Sequence, residues 1–361
     1  MFLAKIQRLF AEGDFTATYK FALLISLADL AVELGADDGA ELTLSIRQIA
    51  ERFIQLYWRH ATPYSTDKSG MATGILVQNL GAQATVITQI SRFRSLHGVH
   101  TLPQARALKA YASLLTHVAK TASAQPLTYL QNFGGGTDPF IYEHGGPGII
   151  LLKAGVAYCL RRFQPLVQQL SRTHWVEHIK NNRRNGLVLG ESRDLEDFLF
   201  SSSRQSLAVV AEGLRKLDGD RCFYCGHRLI ESDVDHYVPF SLYPRDLAHN
   251  FVLAHSKCNR SKSDTLAARL HLERWLERLE SRSDDLAEIG LKAGISADST
   301  TTKKVAAWGY SSACQAGASA WLRAAQYDAV TMDYLALFNT ETLSAADSDT
   351  PCLFNVRTGS A

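Results

Sequence analysis

Cys222 and Cys225 form a Cys-x-x-Cys step, and His255 and Cys258 form a His-x-x-Cys step about thirty residues further on. Two such pairs can close a tetrahedral zinc site, because thiolate and imidazole are the ligands zinc prefers. Each two-residue gap lets a tight turn aim both side chains at one point. The alternative is two buried cysteines beside an unrelated pair, and the paired spacing argues against it. A disulfide framework is a weaker reading still. Three of the six cysteines crowd into this stretch while Cys159, Cys314 and Cys352 are scattered, and in a reducing cytosol such clustering favours metal.

Between the pairs lie an Asp235-His236 step in "DVDHYVPFS" and Asn250 at the head of "NFVLAHSKCNRSK". "VDHYVPFS" predicts a strand broken by Pro239, with Asp235 and His236 at a strand end. "FVL" predicts a second short strand, and the polar run from Cys258 a helix. These types suit phosphodiester hydrolysis, which needs an in-line water, a base for its proton and charge relief at the leaving oxygen. A free imidazole titrates at about 6.5 and can take that proton near neutral pH. A hard divalent ion held by carboxylate and amide oxygens would relieve the charge. Soft-ligand zinc would serve only as scaffold, so two metals sort to two places. Lys257, Arg260 and Lys262 either meet flanking phosphates or form a solvated helix face. His249 reads as a loop residue.

The order Cys-x-x-Cys, Asp-His-x-x-Pro-x-Ser, Asn-Phe-x-Leu, then Cys-Asn-x-x-Lys resembles the HNH endonuclease family and its ββα-metal fold. The resemblance covers roughly Arg221 to Asp264. It implies that His236 is the general base, that Asp235 binds a catalytic divalent cation (Mg2+ or Mn2+), and that Asn250 orients the loop and the His ring. It implies that Asn259, at the family's final His position, is the second protein ligand to that ion. His255 replaces the first Cys of the second Cys-x-x-Cys found in many zinc-bearing members, and is expected to bind structural zinc with Cys222, Cys225 and Cys258.

The rest of the chain must position these groups. Its 361 residues leave room for two or three domains. Apolar and charged contents of 46% and 20% are those of an ordinary globular protein, and no apolar run approaches the ~18 residues of a membrane span. "MFLAKIQRLFAEGDF" reads as an amphipathic helix rather than a signal peptide. Helical spacing recurs in "FTATYKFALLISLADLAVELG", "SIRQIAERFIQLYWRHATPY", "GAQATVITQISRFRSL" and "LPQARALKAYASLLTHVAKTA". It recurs in "AGVAYCLRRFQPLVQQLSRTHWVEHIKNN", read as one helix kinked at Pro165, and in "DLEDFLFSSSRQSLAVVAEGLRKLDG". Downstream it returns in "SDTLAARLHLERWLERLESRSDDLAEIGLKAG", "TTKKVAAWGYSSACQAGASAWLRAAQ" and "DYLALF". "PFIYEH" and "GIILLK" suggest a hairpin. "FGGG" and "GGPG" lack the Gly-Lys-Ser/Thr ending of a P-loop and read as turns. "TLSIRQIAERFIQLYW" offers a thin helix-turn-helix pattern.

The expected protein is therefore mainly α. An α-helical recognition or partner region spans 1–215, an HNH module with its zinc site 216–268, C-terminal helices 269–338 and a frayed tail 339–361. The net charge of +2 leaves any nucleic-acid argument to local clusters. One such cluster, Lys180, Arg183 and Arg184 beside Trp175, could meet a DNA backbone or be the solvated end of a helix. The expected function is cytoplasmic, metal-dependent DNA cleavage, by analogy in restriction or anti-phage defence. DNA is the expected partner, with a second protein in a defence or mobile-element system, and with a dimer if one site per chain must cut both strands. The rival is a non-catalytic zinc-ribbon module that binds DNA or a partner.

Overall fold

The computed structural model of the chain describes residues 1–64, 74–189 and 195–338. The expected tail from Asn339 lies outside them. The chain divides into two compact units, Met1–Ser203 and one that begins at Arg204. Both are mainly helical with small sheets only. Among the described residues no helix is long and apolar enough to cross a membrane.

In the first unit, α1 (Phe2–Glu12) precedes α2 (Tyr19–Leu34), which is buried from Tyr19 to Glu33. A helix apolar on all sides belongs at the centre of a core, and the two acidic groups it carries inside are paired. Asp29 accepts from Gln168 Nε2 at 2.7 Å, and Glu33 pairs with Arg52. Strand β1 (Leu42–Ser45) runs into α3 (Ile46–His60). Ser45 and Gln48 form a reciprocal capping box there, which satisfies two backbone donors that the first turn would otherwise leave open. A strand running into a helix occupies the residues whose sequence offered a thin helix-turn-helix pattern.

Then follow α4 (Thr85–His97), α5 (Leu102–Arg106), α6 (Tyr111–Ala124) and α7 (Pro126–Tyr129). Helix "LPQARALKAYASLLTHVAKTA" is thus two, parted at 107–110. Strands β2 (Asn132–Phe133) and β3 (Gly136–Thr137) form a minimal hairpin. Its turn needs the left-handed backbone of Gly134 and Gly135, so "FGGG" is a turn. Strands β4 (Tyr142–Gly146) and β5 (Ile149–Leu152) pair antiparallel as expected, and β1 adds to β5, giving the order β1-β5-β4. The expected kinked helix is α8 (Val156–Arg162) and α9 (Gln164–Asn181), with Pro165 in the first turn of α9. Proline is tolerated there because that N–H has no helical partner anyway. Helices α10 (Gly186–Leu189) and α11 (Leu195–Phe200) complete the unit.

The second unit opens with α12 (Arg204–Asp218), separated from α11 where one helix was expected. Strands β6 (Asp233–His236) and β7 (Phe251–Ala254) pair antiparallel, His236 opposite Phe251, and α13 (Ser256–Lys262) follows. Around this ββα segment fold α14 (Arg269–Ser281), α15 (Ser283–Ala293), α16 (Ser299–Gln315), the hairpin β8 (Ser319–Arg323) and β9 (Gln326–Ala329), and α17 (Met332–Ala336). The expected helix through "GASAWLRAAQ" is therefore a hairpin. Gly317 turns the chain at φ +61°, and Ala320 and Trp321 are buried in β8.

The added elements grip the segment closely. The Tyr237 ring stacks on Trp275 of α14 at 4.5 Å, and its hydroxyl lies 3.0 Å from that of Tyr310 in α16. Arg278 donates to Phe251 O at 3.0 Å and pairs with Asp218 at 2.8 Å, tying β7 to α12. Trp321 Nε1 donates to Ser261 of α13 at 3.0 Å. Gly290 lets α15 approach the 3-10 turn that carries Asn250. A Cβ on Gly290 would stand 2.7 Å from that of Ala248.

Candidate metal centre and active site

The Sγ atoms of Cys222, Cys225 and Cys258 and a ring nitrogen of His255 lie within 4.8 Å of one another. Cys222 N donates to His227 O, and Gly226 N returns to Cys222 O, both at 2.9 Å, with Gly226 at φ +72°. Only a residue at ease with positive φ closes so tight a turn, so the glycine after the pair belongs to the metal knuckle. Phe223 N donates to Leu253 O at 2.8 Å and fixes the knuckle to β7. The second pair arrives on α13, with His255 as its N-cap and Cys258 in its first turn.

The donor set fits zinc. Cys225 Sγ and His255 Nδ1 are 3.4 Å apart, close to the roughly 3.6 Å that tetrahedral Zn–S and Zn–N bonds imply. His255 Nε2 is 3.0 Å from Arg228 O. That bond places the ring hydrogen on Nε2 and leaves the Nδ1 lone pair open to a metal, the orientation that metal-bound histidines take from an outer carbonyl. Burial pushes the Cys222 thiol up, but backbone donors from Cys225, His255 and Tyr224 outweigh it and hold the thiol below its usual value. Burial, then the thiolates of Cys222 and Cys225, push Cys258 up to about 12. A divalent cation relieves the repulsion among three such thiolates. Among the described residues this is the only such His, Cys, Asp or Glu group.

The residues expected to form a second site lie along the same segment. Successive strand side chains alternate in direction, so Asp233 and Asp235 share a face of β6, and α13 lies against it. Ser256 Oγ donates to Asp233 at 2.8 Å and Asn259 Nδ2 to the same carboxylate at 3.2 Å. Asp235 is buried; it accepts from Tyr224 OH at 2.5 Å and pairs with Lys262 Nζ at 3.2 Å. Asp235 and Asn259 share no hydrogen bond among the described residues, and Asn259 Oδ1 accepts none. The carboxylates and the amide are the hard oxygen donors that Mg2+ or Mn2+ takes. Lys262 is interior, 1% exposed, and also donates to His236 O at 2.9 Å. The expectation that it meets a flanking phosphate is therefore corrected: its charge is spent on Asp235.

His236 closes β6. Its Nε2 lies 2.6 Å from Asp246 Oδ1, and its ring packs against Phe240 and Phe251, with centroids at 5.1 and 4.8 Å. Asn250 is buried and clamps Val238 from both sides. Its Oδ1 accepts from Val238 N at 2.8 Å, its Nδ2 donates to Val238 O at 2.9 Å, and its backbone carbonyl accepts from Tyr237 N at 2.7 Å. The chain just after His236 is thereby held in one conformation. His249 is buried against Ser283.

Lys257 and Arg260 are exposed on α13. In the first unit Lys180, Arg183 and Arg184 are exposed, and the Arg184 guanidinium donates to Gly81 O. Trp175 and Arg172 are interior, so the aromatic of that run is core and unavailable to a base. Asp233, Tyr224 and Asp246, which sequence reasoning passed over, bond directly to the expected residues Asn259, Asp235 and His236. The two-residue step from Asp233 to Asp235 was a usable signal; Asp246 offers none locally.

Residues 222–268 match the family described as HNH endonuclease. Residues 3–195 match the family described as Domain of unknown function (DUF8808). No curated protein matches the chain.

Proposed function

We propose that this chain, which belongs to the family described as Domain of unknown function (DUF8808), is a metal-dependent endonuclease that hydrolyses DNA phosphodiester bonds. The observation that carries the reading is one ββα segment bearing both a Cys3His group and an Asp235-His236 step. In this reading His236 takes the proton of the attacking water. Asn250 holds the loop beyond it, and Lys257 and Arg260 meet phosphates beside the cut. Asp235 and Asn259 hold a divalent ion, which supplies charge relief at the phosphorus and the leaving oxygen. Zinc on Cys222, Cys225, His255 and Cys258 is scaffold. A cytoplasmic restriction or anti-phage role, with a second protein or a second copy of the chain as partner, is the setting that suits such a nuclease, by analogy alone.

One observation favours the rival, a zinc module that binds without cutting: Asp235 is already engaged by Lys262 and Tyr224. Incubating the purified chain with modified and unmodified phage DNA, with and without Mg2+ or Mn2+, separates the two. Ion-dependent cutting that depends on modification supports a restriction nuclease. Intact DNA under every condition supports the rival.

A segment of this size has few cations with which to neutralise phosphates, so the first unit is assigned target recognition. Replacing Lys180, Arg183 and Arg184 together by Ala should weaken DNA binding. It should also flatten the dependence of log affinity on log salt by about 0.9 per lost phosphate contact. Fluorescence anisotropy across a salt series measures both. An unchanged slope would make the run a solvated helix end.

A further inference from the structure

We propose that Asp246 is a positioning residue for His236: by accepting from Nε2 it holds the imidazole in the tautomer whose Nδ1 carries the free lone pair. The inference rests on the nuclease reading and adds a residue to it. An ionised carboxylate can only accept, so the 2.6 Å contact places the ring hydrogen on Nε2. Nδ1 has no hydrogen-bond partner among the described residues, and it is the nitrogen left to act. In the reaction, the water oxygen bonds to phosphorus as Nδ1 takes its proton. The bond from phosphorus to O3′ breaks, and the leaving oxygen is protonated from solvent.

The pair is built rather than incidental. The side chains of His236 and Asp246 are 21% and 13% exposed, so water competes weakly for the bond. Phe240 and Phe251 pack against the ring and hinder its rotation. Asp246 is delivered by a loop anchored outside the matched segment. Leu247 bridges Ser296 in parallel, and Ala248 N donates to Ser296 O at 2.9 Å. Ser296 lies just beyond α15, the helix whose Gly290 permits close approach to Ala248. The helices that follow the ββα segment thus set the orientation of its His.

The test uses the full, zinc-loaded chain with its histidines labelled with 15N, the His236 signals being assigned by their loss in His236→Ala. The wild type should show His236 as the Nε2–H tautomer. Asp246→Asn, whose amide can donate to Nε2, should shift it toward Nδ1–H. It should also lower the single-turnover cleavage rate by about 10²-fold or more, with DNA affinity and zinc content unchanged. Asp246→Glu should recover part of the rate. Wild-type cleavage by Asp246→Asn, while His236→Ala is inactive, overturns the positioning role and leaves the nuclease reading intact. A wild-type His236 found as Nδ1–H overturns it even if every Asp246 variant misfolds. An active His236→Ala overturns the base assignment and this inference with it.

Discussion

Cys258→Ser should leave the chain without stoichiometric zinc and with its ββα segment unfolded. Structural zinc contributes apparent binding energies of about 10–16 kcal/mol in small zinc-finger peptides, against a total stability of about 5–15 kcal/mol for a typical domain. Losing one of four ligands removes enough of that term to decide whether a two-stranded sheet and a seven-residue helix stay folded. A two-stranded hairpin alone is marginal in water. Tyr237 packs on Trp275 and Trp321 on Ser261, while the knuckle is held to β7 by the Phe223–Leu253 backbone bond and to the start of α13 by His255 on Arg228 O, contacts too few to replace the metal. Elemental analysis should find about one zinc per wild-type chain and far less in the variant. Limited proteolysis should cut the variant between Arg221 and Asp264. Zinc-free wild type that is folded and active would contradict this.

His236→Ala should lower cleavage by at least ~10²-fold, about 2.7 kcal/mol of barrier. The fold should persist, because the ring is partly exposed and its neighbours Phe240 and Phe251 remain packed. Asn250 holds Val238 independently of the imidazole, so the loop keeps its course. Zinc content should match wild type, since no zinc ligand touches His236 among the described contacts. Single-turnover cleavage measured beside zinc content and a thermal melt separates lost chemistry from lost structure. A variant that cuts at the wild-type rate would remove His236 from the reaction.

The zinc group and the strand order were legible because they depend on short spacings: two-residue gaps for the metal turns, and a two-residue period for β6. Helix existence was legible for the same reason, as in α2, α3 and α4. Helix ends were less so. Pro165 reads as a kink from sequence, yet it opens a new helix, because a first-turn proline costs no hydrogen bond. The β8–β9 hairpin was hidden by alanines that suit a helix, and it exists because Trp321 finds Ser261 and Leu266 in the second unit. Lys262 looked like a surface cation among Lys257 and Arg260. Its burial follows from its place one turn beyond Asn259, facing Asp235 across β6, which only the folded segment reveals. Asp246 was invisible for a related reason: the segment at Ser296 that orients it lies some fifty residues away in the chain.

The most direct measurement is conversion of supercoiled plasmid by the zinc-loaded wild-type chain as Mg2+ or Mn2+ is titrated in. The account predicts no cleavage without added ion, nicked or linear product that rises to saturation with it, and constant zinc content throughout, because the Cys3His group has no position to spare for catalysis. Plasmid that is bound but stays supercoiled at every ion concentration would contradict it, and would leave the Asp235–Lys262 pair as part of a scaffold rather than of an active site.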